Sequence, residues 1–316
     1  MHGDNVKIVV MGAGAIGSLF GGYLAEIGNE VSFIGRKAHI DKINQNGLYI
    51  DGIRGSRRVR VKTTTKPSDL EAPDLIILTV KAYDTKRAVM DVKSLFSAST
   101  YFMCLQNGLG TEDVAASILG EAHIIRGTTS DGALFEEPGK VRHTGQGNTV
   151  LGYLNREHDT FLKQVADMFQ KAGFDTTISD DIKKVVWEKI FVNVAINPFG
   201  ALTGLRNGDL LTVPQLEDSM KAAILEGLQV TEKLGLSINS QTPIVKAFEV
   251  AQRTAMNKNS MLQDIEKGKK TEIDFINGAI VNYGKKIGVS CPINAVLTAL
   301  IKGLERKSEI MSLEVN

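Results

Sequence analysis

The sequence predicts an α/β protein in two parts, a doubly wound parallel sheet followed by an all-helical domain. Three observations carry this. Strand-like apolar runs alternate with helical segments up to about Gly132. A glycine-rich turn separates the first of these strands from the first helix. After Ser179 the pattern is almost entirely helical.

Val6–Met11 is a β-branched apolar run with a glycine stop and reads as a buried strand. Ser18–Ile27 reads as a helix ending at Gly28, and Glu30–Ile34 as a second strand. Asp74–Val80 is near-continuously apolar, as a strand covered on both faces should be. Tyr101–Leu105 and His123–Gly127 complete the alternation. Lys140–His143 and Thr149–Tyr153 flank Thr144-Gly-Gln-Gly-Asn148 and suggest an antiparallel hairpin closing the sheet. A helix over His158–Lys171 and a strand over Asp175–Ile178 follow. Asp180 or Asp181 then caps a helix running to about Asn197. Further helices are expected at Gln215–Leu234, Pro243–Met256 and Thr271–Ile287, the last stopped by Gly288. The domain boundary falls near 178–182, giving domains over 1–180 and 181–316. No Pro/Ser-rich linker marks it.

Composition excludes several classes. At roughly 150 residues per domain, 316 residues suit two domains. Lys+Arg (37) and Asp+Glu (36) nearly cancel, so no electrostatic ground exists for a nucleic-acid or anionic-membrane partner. Two cysteines cannot build a disulfide framework or a four-thiolate zinc site, which points to a reducing, cytoplasmic setting. The five histidines show no metal spacing, so no metal is expected. Cys104, inside a strand, reads as core rather than nucleophile. No signal-peptide pattern and no long uncharged apolar run is present. The basic run Arg54–Lys62 alternates like an exposed strand with a solvated face.

Gly12-Ala13-Gly14-Ala15-Ile16-Gly17 fits G-x-G-x-x-G, and its place between strand and helix gives the pattern meaning. The first glycine permits a tight turn, the second lets backbone approach a pyrophosphate, and the third lets helix and strand pack closely. An NAD site carries an acid at the end of the second strand, about 20 residues on. Here the sequence is Ile34-Gly35-Arg36-Lys37, with no carboxylate and an arginine suited to a 2′-phosphate. The expected cofactor is therefore NADPH/NADP.

Lys189, Asn193 and Asn197 are spaced i, i+4, i+8 and form one polar stripe on an otherwise apolar helix. A buried stripe of one ammonium and two amides is costly unless something polar lies against it. Lys81 and Asn107 follow strands of the first domain, at the carboxyl ends where open α/β sheets bind ligands. Taken alone, Glu272 and Asp274 read as acids in the first turn of a helix beginning at Lys270 or Thr271.

Together with Val80-Lys81-Ala82, Gln106-Asn-Gly-Leu-Gly-Thr111, Arg142-His-Thr-Gly145 and Ser260-Met-Leu-Gln-Asp264 leading to Thr271-Glu-Ile-Asp-Phe-Ile-Asn-Gly278, these motifs run over nearly the whole chain. In this the chain resembles the ketopantoate reductase (2-dehydropantoate 2-reductase) family. The resemblance implies a Rossmann domain plus an all-helical domain, with the site in the cleft between them. It implies NADPH-dependent reduction of 2-dehydropantoate to (R)-pantoate, a step towards pantothenate and coenzyme A. By the same resemblance Lys189 is the catalytic proton donor. Asn193, Asn197, Asn257, Ser260 and Glu272 bind substrate. Lys81 and Asn107 stand on the cofactor side near the nicotinamide, and Arg36 at the 2′-phosphate.

The chemistry is sound without the family. Hydride addition creates alkoxide charge that a nearby ammonium stabilises and protonates. Rival readings are a same-fold reductase of another 2-oxo acid, an opine-type dehydrogenase, and a non-catalytic NADPH-binding regulator. The last predicts loss of Lys189, which is present. The apolar content of Gln215–Leu234 and Pro243–Met256 further suggests a homodimer.

Overall fold

A computed structural model of the chain describes residues 5–314. The elements run β1 (Lys7–Met11), α1 (Ala15–Glu26), β2 (Glu30–Ile34), α2 (Lys37–Asn46), β3 (Leu48–Gly52), β4 (Arg57–Val59), β5 (Lys62–Thr64), β6 (Leu75–Leu78), α3 (Thr85–Val92), β7 (Tyr101–Cys104), α4 (Thr111–Leu119), β8 (Ile124–Thr129), β9 (Gly132–Glu137), β10 (Lys140–Gly145), β11 (Asn148–Tyr153), α5 (Thr160–Lys171) and β12 (Asp175–Ile178). Six helices follow: α6 (Ile182–Thr203), α7 (Pro214–Lys233), α8 (Gln241–Arg253), α9 (Ser260–Glu266), α10 (Asn277–Ile287) and α11 (Pro292–Glu314). The fold class is thus α/β followed by all-helix, as the sequence predicts. Two compact units form: one holds the chain to Gln106 with Thr111–Ile182, the other Asn107–Gly110 with the chain from Lys183.

In the first unit an eight-stranded sheet has the order β12-β11-β8-β7-β6-β1-β2-β5. All its pairs are parallel except β11–β8. Its central strands alternate between two cores, because successive side chains point to opposite faces. Ile8 and Val10 pack with Leu19, Phe20, Leu162 and Phe169 from α1 and α5. Val9 and Met11 pack with Val89 and Ala115 from α3 and α4. The strand order reverses around β1, which puts the crevice of a doubly wound sheet at the carboxyl ends of β1 and β6.

A second sheet, β4-β3-β10-β9, covers the other side of α1. That helix is squeezed between layers: a Cβ on Gly21 would lie 2.2 Å from Phe33, and one on Gly22 2.5 Å from Ile50. This corrects the expected hairpin over 140–153. β10 pairs antiparallel with β9 across the two-residue Pro138-Gly139 turn and parallel with β3, whereas β11 joins β8 in the large sheet. The Thr144–Asn148 segment crosses between sheets instead of turning within one. The basic run keeps its exposed face at Arg58, Arg60 and Lys62, as expected, but it is not a single strand. It divides into β4 and β5, in different sheets, and the Arg54 and Arg57 guanidinium groups lie over the Tyr23 ring at 4.1 and 5.0 Å.

Asp159 secures the entry to α5. Its carboxylate accepts the Leu162 N–H at 2.9 Å, the Tyr101 and Tyr153 hydroxyls at 2.6 and 2.8 Å, and Arg156 at 2.6 Å. Burial opposes its charge, but these hydrogen bonds and the Arg156 charge outweigh burial and hold its pKa below the ordinary value. Asp159→Ala is expected to cost at least the ~1 kcal/mol of a lost helix cap, measured by urea unfolding. The wild-type advantage is complete at neutral pH and is lost as pH falls through the depressed value. An unchanged unfolding midpoint at pH 7 would contradict this.

In the second unit α6 is central. Ile190, Phe191, Val194 and Ala195 are buried, and α7 closes on Phe191 so tightly that a Cβ on Gly227 would lie 2.7 Å from its ring. The helix does not stop near Asn197 but continues through Pro198 to Thr203. Proline offers no N–H to the carbonyl four residues back, here that of Val194. Asn277 Nδ2 reaches that carbonyl at 3.5 Å and also donates to Asn294 Oδ1 at 2.9 Å. The Glu226 carboxylate accepts the Ile293 and Asn294 N–H groups at 2.8 and 3.0 Å, an anion at the start of α11. The helix expected over 271–287 is also corrected. A 3-10 turn, Ile273–Phe275, comes first, Ile276 breaks the helical path (φ −111, ψ −95), and α10 starts at Asn277. Gly288 ends it in the left-handed conformation, as expected. Among the described residues no helix is long and apolar enough to cross a membrane, and no group of three or more His, Cys, Asp or Glu is placed to hold a metal.

Candidate active site

In the first unit the glycine loop lies where β1 ends. Gly12 takes φ +107, and a Cβ there would meet the Val80 backbone nitrogen at 2.6 Å. A Cβ on Gly17 would lie 2.3 Å from the Gly12 carbonyl oxygen and 2.4 Å from Thr79 Oγ1, so this glycine lets α1 start against the strand ends. Gly14 is different: only the Gly12 oxygen, 3.9 Å away, would stand near an added Cβ. The first intrahelical bond of α1 runs from Ser18 N–H to Gly14, at 3.0 Å. The N–H groups of Ala15, Ile16 and Gly17 precede it and have no helical turn to bond to. Open space beside Gly14 and first-turn donors facing the end of a helix fit the pyrophosphate of a dinucleotide.

Thr79 and Gln106 hold this edge together, a role the sequence reading gave to neither. Thr79 Oγ1 donates to the Gly12 carbonyl at 2.7 Å. Gln106 Nε2 donates to the Val80 carbonyl at 2.7 Å and to Thr85 Oγ1 at 2.9 Å, fixing the backbone just before Lys81. Lys81 is half-buried and opens the 3-10 turn Ala82–Asp84. Arg36 is exposed, at the carboxyl end of β2 and the start of α2. Ala13 is buried beside the loop. The residues of this unit that the sequence puts forward for the cofactor therefore lie at the carboxyl ends of neighbouring strands.

The second unit gathers another set. Lys189 Nζ donates to Asn107 Oδ1 at 3.0 Å, a bond between residues 82 apart in sequence. The Asn107–Gly110 turn is docked in place, since the Leu109 N–H donates to the Phe275 carbonyl at 2.9 Å. Phe275 ends the 3-10 turn that follows Glu272, and Glu272 is 6% exposed. It therefore does not stand in the first turn of α10, as its sequence neighbours suggest, and Asp274 pairs with Lys302 at 2.7 Å. Lys189 and Asn193 are half-buried and Asn197 is 5% exposed, a polar stripe on a buried helix.

Ser260 opens α9, and the residue before it is one the sequence reading missed. Asn259 Oδ1 caps α9 by accepting the Leu262 N–H at 3.0 Å, and its Nδ2 donates to the Ile196 carbonyl at 3.3 Å. The start of α9, where Ser260 stands exposed, is thereby tied to α6 at Ile196. The signal was available, because asparagine ahead of an apolar helical run is a cap pattern. Asn257 is exposed, and its backbone bonds Asn207 and Thr254, at 3.0 and 2.8 Å. Among the described residues no hydrogen bond draws its side chain to the stripe. Cys104 and Cys291 are buried, and burial pushes both thiols up, away from nucleophilic use.

Residues 8–156 match the family model of ketopantoate reductase PanE/ApbA, and residues 181–305 match its C-terminal counterpart. A 2-dehydropantoate 2-reductase of Pyrococcus abyssi is 40% identical over 95% of this chain and 98% of its own length. The solved 2-dehydropantoate 2-reductase of Geobacter metallireducens is similar at TM-score 0.89 and 28% identity, covering 94% of this chain and 99% of that one. A ternary structure of D-mandelate dehydrogenase with NADH and anilino(oxo)acetate is similar at TM-score 0.92 and 30% identity, covering 96% and 99%. With both of its halves matched and a relative this similar along its whole length, the chain belongs to the ketopantoate reductase PanE/ApbA family.

Proposed function

We propose that this protein is an NADPH-dependent 2-dehydropantoate 2-reductase, forming (R)-pantoate for pantothenate and coenzyme A synthesis. The observation that carries the reading is the Lys189 ammonium held by Asn107 on the stripe with Asn193 and Asn197. An ammonium set among amides on a buried helix is suited to stabilise and protonate a developing alkoxide.

The bound nicotinamide supplies the hydride. The chain's part is positioning and proton transfer. Gly12, Ala13, Gly14, Ala15, Ile16 and Gly17 receive the pyrophosphate, Arg36 pairs with the 2′-phosphate, and Lys81 flanks the nicotinamide. Asn107 has a double role, on the cofactor side and as the acceptor that aims Lys189. Lys189 gives its proton to the carbonyl oxygen. Asn193, Asn197, Ser260 and Glu272 hold the hydroxyl and carboxylate of the substrate, with Asn257 at the rim. In this reading 1–180 serve the cofactor and 181–316 the substrate.

The fit to D-mandelate dehydrogenase supports one rival, a reductase of another 2-oxo acid. The identity to 2-dehydropantoate 2-reductases along the whole chain favours 2-dehydropantoate. NADPH oxidation should be followed with 2-dehydropantoate beside pyruvate, 2-oxoisovalerate and phenylglyoxylate. The highest kcat/KM is expected with 2-dehydropantoate, and a higher value with any other acid would overturn the assignment. A homodimer through the helical domain belongs to the same proposal. Val296 and Leu300, one turn apart on α11, are exposed apolar residues it would cover. A monomeric mass by sedimentation at micromolar protein would exclude it.

A further inference from the structure

His39 has no part in the proposed chemistry, yet it is 3% exposed and fully engaged. Its Nδ1 accepts the Gly139 N–H at 2.8 Å. That bond settles the tautomer: Nδ1 is bare, so the proton of the neutral ring is on Nε2. Nε2 then donates to Ser18 Oγ at 3.1 Å. Burial lowers the ring's pKa to about 4, so it stays neutral at physiological pH. Phe135 packs against it with ring centroids 4.9 Å apart.

Three elements meet on this one ring. Ser18 follows the third glycine of the loop. Gly139 lies in the turn between β9 and β10. His39 itself stands in the first turn of α2, where its N–H and that of Ile40 both donate to the Arg36 carbonyl, at 3.0 and 3.1 Å. Gly35, just before Arg36, is wedged in place, since a Cβ there would lie 3.1 Å from both Ala13 Cβ and Ile40 Cδ1. The spacing between the glycine loop and the Arg36 turn is therefore set by a rigid ring with a donor on one side and an acceptor on the other. An apolar side chain would fill the space but leave the buried Gly139 N–H without a partner.

We propose that His39 is a positioning residue for cofactor choice. It holds the Arg36 turn at a fixed offset from the glycine loop, so that one dinucleotide can place its pyrophosphate and its 2′-phosphate on the two sites at once. This rests on the NADPH reading above.

Direct binding tests it without turnover. Dissociation constants for NADPH, NADH, 2′,5′-ADP and 5′-AMP are measured by calorimetry on the full chain and on His39→Leu, His39→Gln, Ser18→Ala and Arg36→Ala. His39→Leu should weaken NADPH and 2′,5′-ADP about 10-fold while NADH and 5′-AMP change by less than about 2-fold. His39→Gln, which keeps one donor and one acceptor, should recover most of the loss. Ser18→Ala, a smaller change, should shift NADPH in the same direction and serves if His39→Leu fails to fold. In an Arg36→Ala background His39→Leu should add nothing to the loss of NADPH, as two groups acting through one contact do. Equal weakening of NADPH and NADH would show a merely structural role and overturn the proposal, as would a loss that persists without Arg36. A wild-type protein that binds NADPH and NADH equally, with Arg36→Ala altering neither, would instead defeat the NADPH reading and this proposal with it.

Discussion

Lys189→Ala is expected to keep the fold and the cofactor affinity and to lose roughly 10² to 10⁴ of turnover, the usual range for removing a general acid. The reason is where the ammonium sits. α6 is held by its buried residues Ile190, Phe191, Val194 and Ala195, none of which the substitution touches. The half-buried side chain at 189 contributes its charge and its bond to Asn107 instead. Without them the alkoxide forms with neither a stabilising charge nor a proton source at hand. The glycine loop, in the other compact unit, keeps its own bonds from Thr79 and Ser18 and should bind dinucleotide as before. Asn193→Ala should differ, raising KM with a smaller effect on kcat, if its amide binds ground and transition states alike. Steady-state kinetics with cofactor titration checks both. Near wild-type turnover in Lys189→Ala would move the proton donor elsewhere, with Lys81 the next candidate.

Arg36→Ala is the second large effect. One or two charge-assisted hydrogen bonds to a 2′-phosphate are worth about 1.5–3 kcal/mol, so NADPH should bind about 10- to 100-fold more weakly. NADH, which has no 2′-phosphate, should change little. Because Arg36 is exposed, raising salt should narrow the wild-type preference for NADPH. Fluorescence titration of both cofactors at two ionic strengths measures this. Equal wild-type affinities would contradict the assignment of Arg36.

How far the sequence could be read follows from how local each signal is. β1, β2, β6 and β7 are short apolar runs bounded by turn residues, and a strand buried on both faces needs no partner to be recognised. β2 and β12 fall on the expected residues, Glu30–Ile34 and Asp175–Ile178. The small sheet could not be read this way. β4 is three residues with two arginines, and β10 finds its parallel partner β3 some 90 residues earlier, so no local pattern announces either. The same holds for helix ends. Pro198 looks like a stop, but the Asn277 amide, brought in from α10, serves the carbonyl the proline leaves open.

The candidate site divides along the same line. The Lys189, Asn193, Asn197 spacing is local and visible as a helix stripe. The bond from Lys189 to Asn107 is not, because only the folded chain brings the turn after β7 to α6. Glu272 reads as a helix-dipole acid from its neighbours, while the break at Ile276 makes it a buried carboxylate ahead of a 3-10 turn. Asn259 was legible as a cap, but its second bond, to the Ile196 carbonyl, depends on tertiary packing.

A single turnover with excess protein, 2-dehydropantoate and NADPH deuterated at the transferring C4 position of the nicotinamide puts the proposed reaction to its sharpest test. The expected product is (R)-pantoate with one deuterium at C2, formed by the wild type and not, on the same time scale, by Lys189→Ala. Pantoate without the label, or NADPH that is consumed with another 2-oxo acid but not with 2-dehydropantoate, would contradict it.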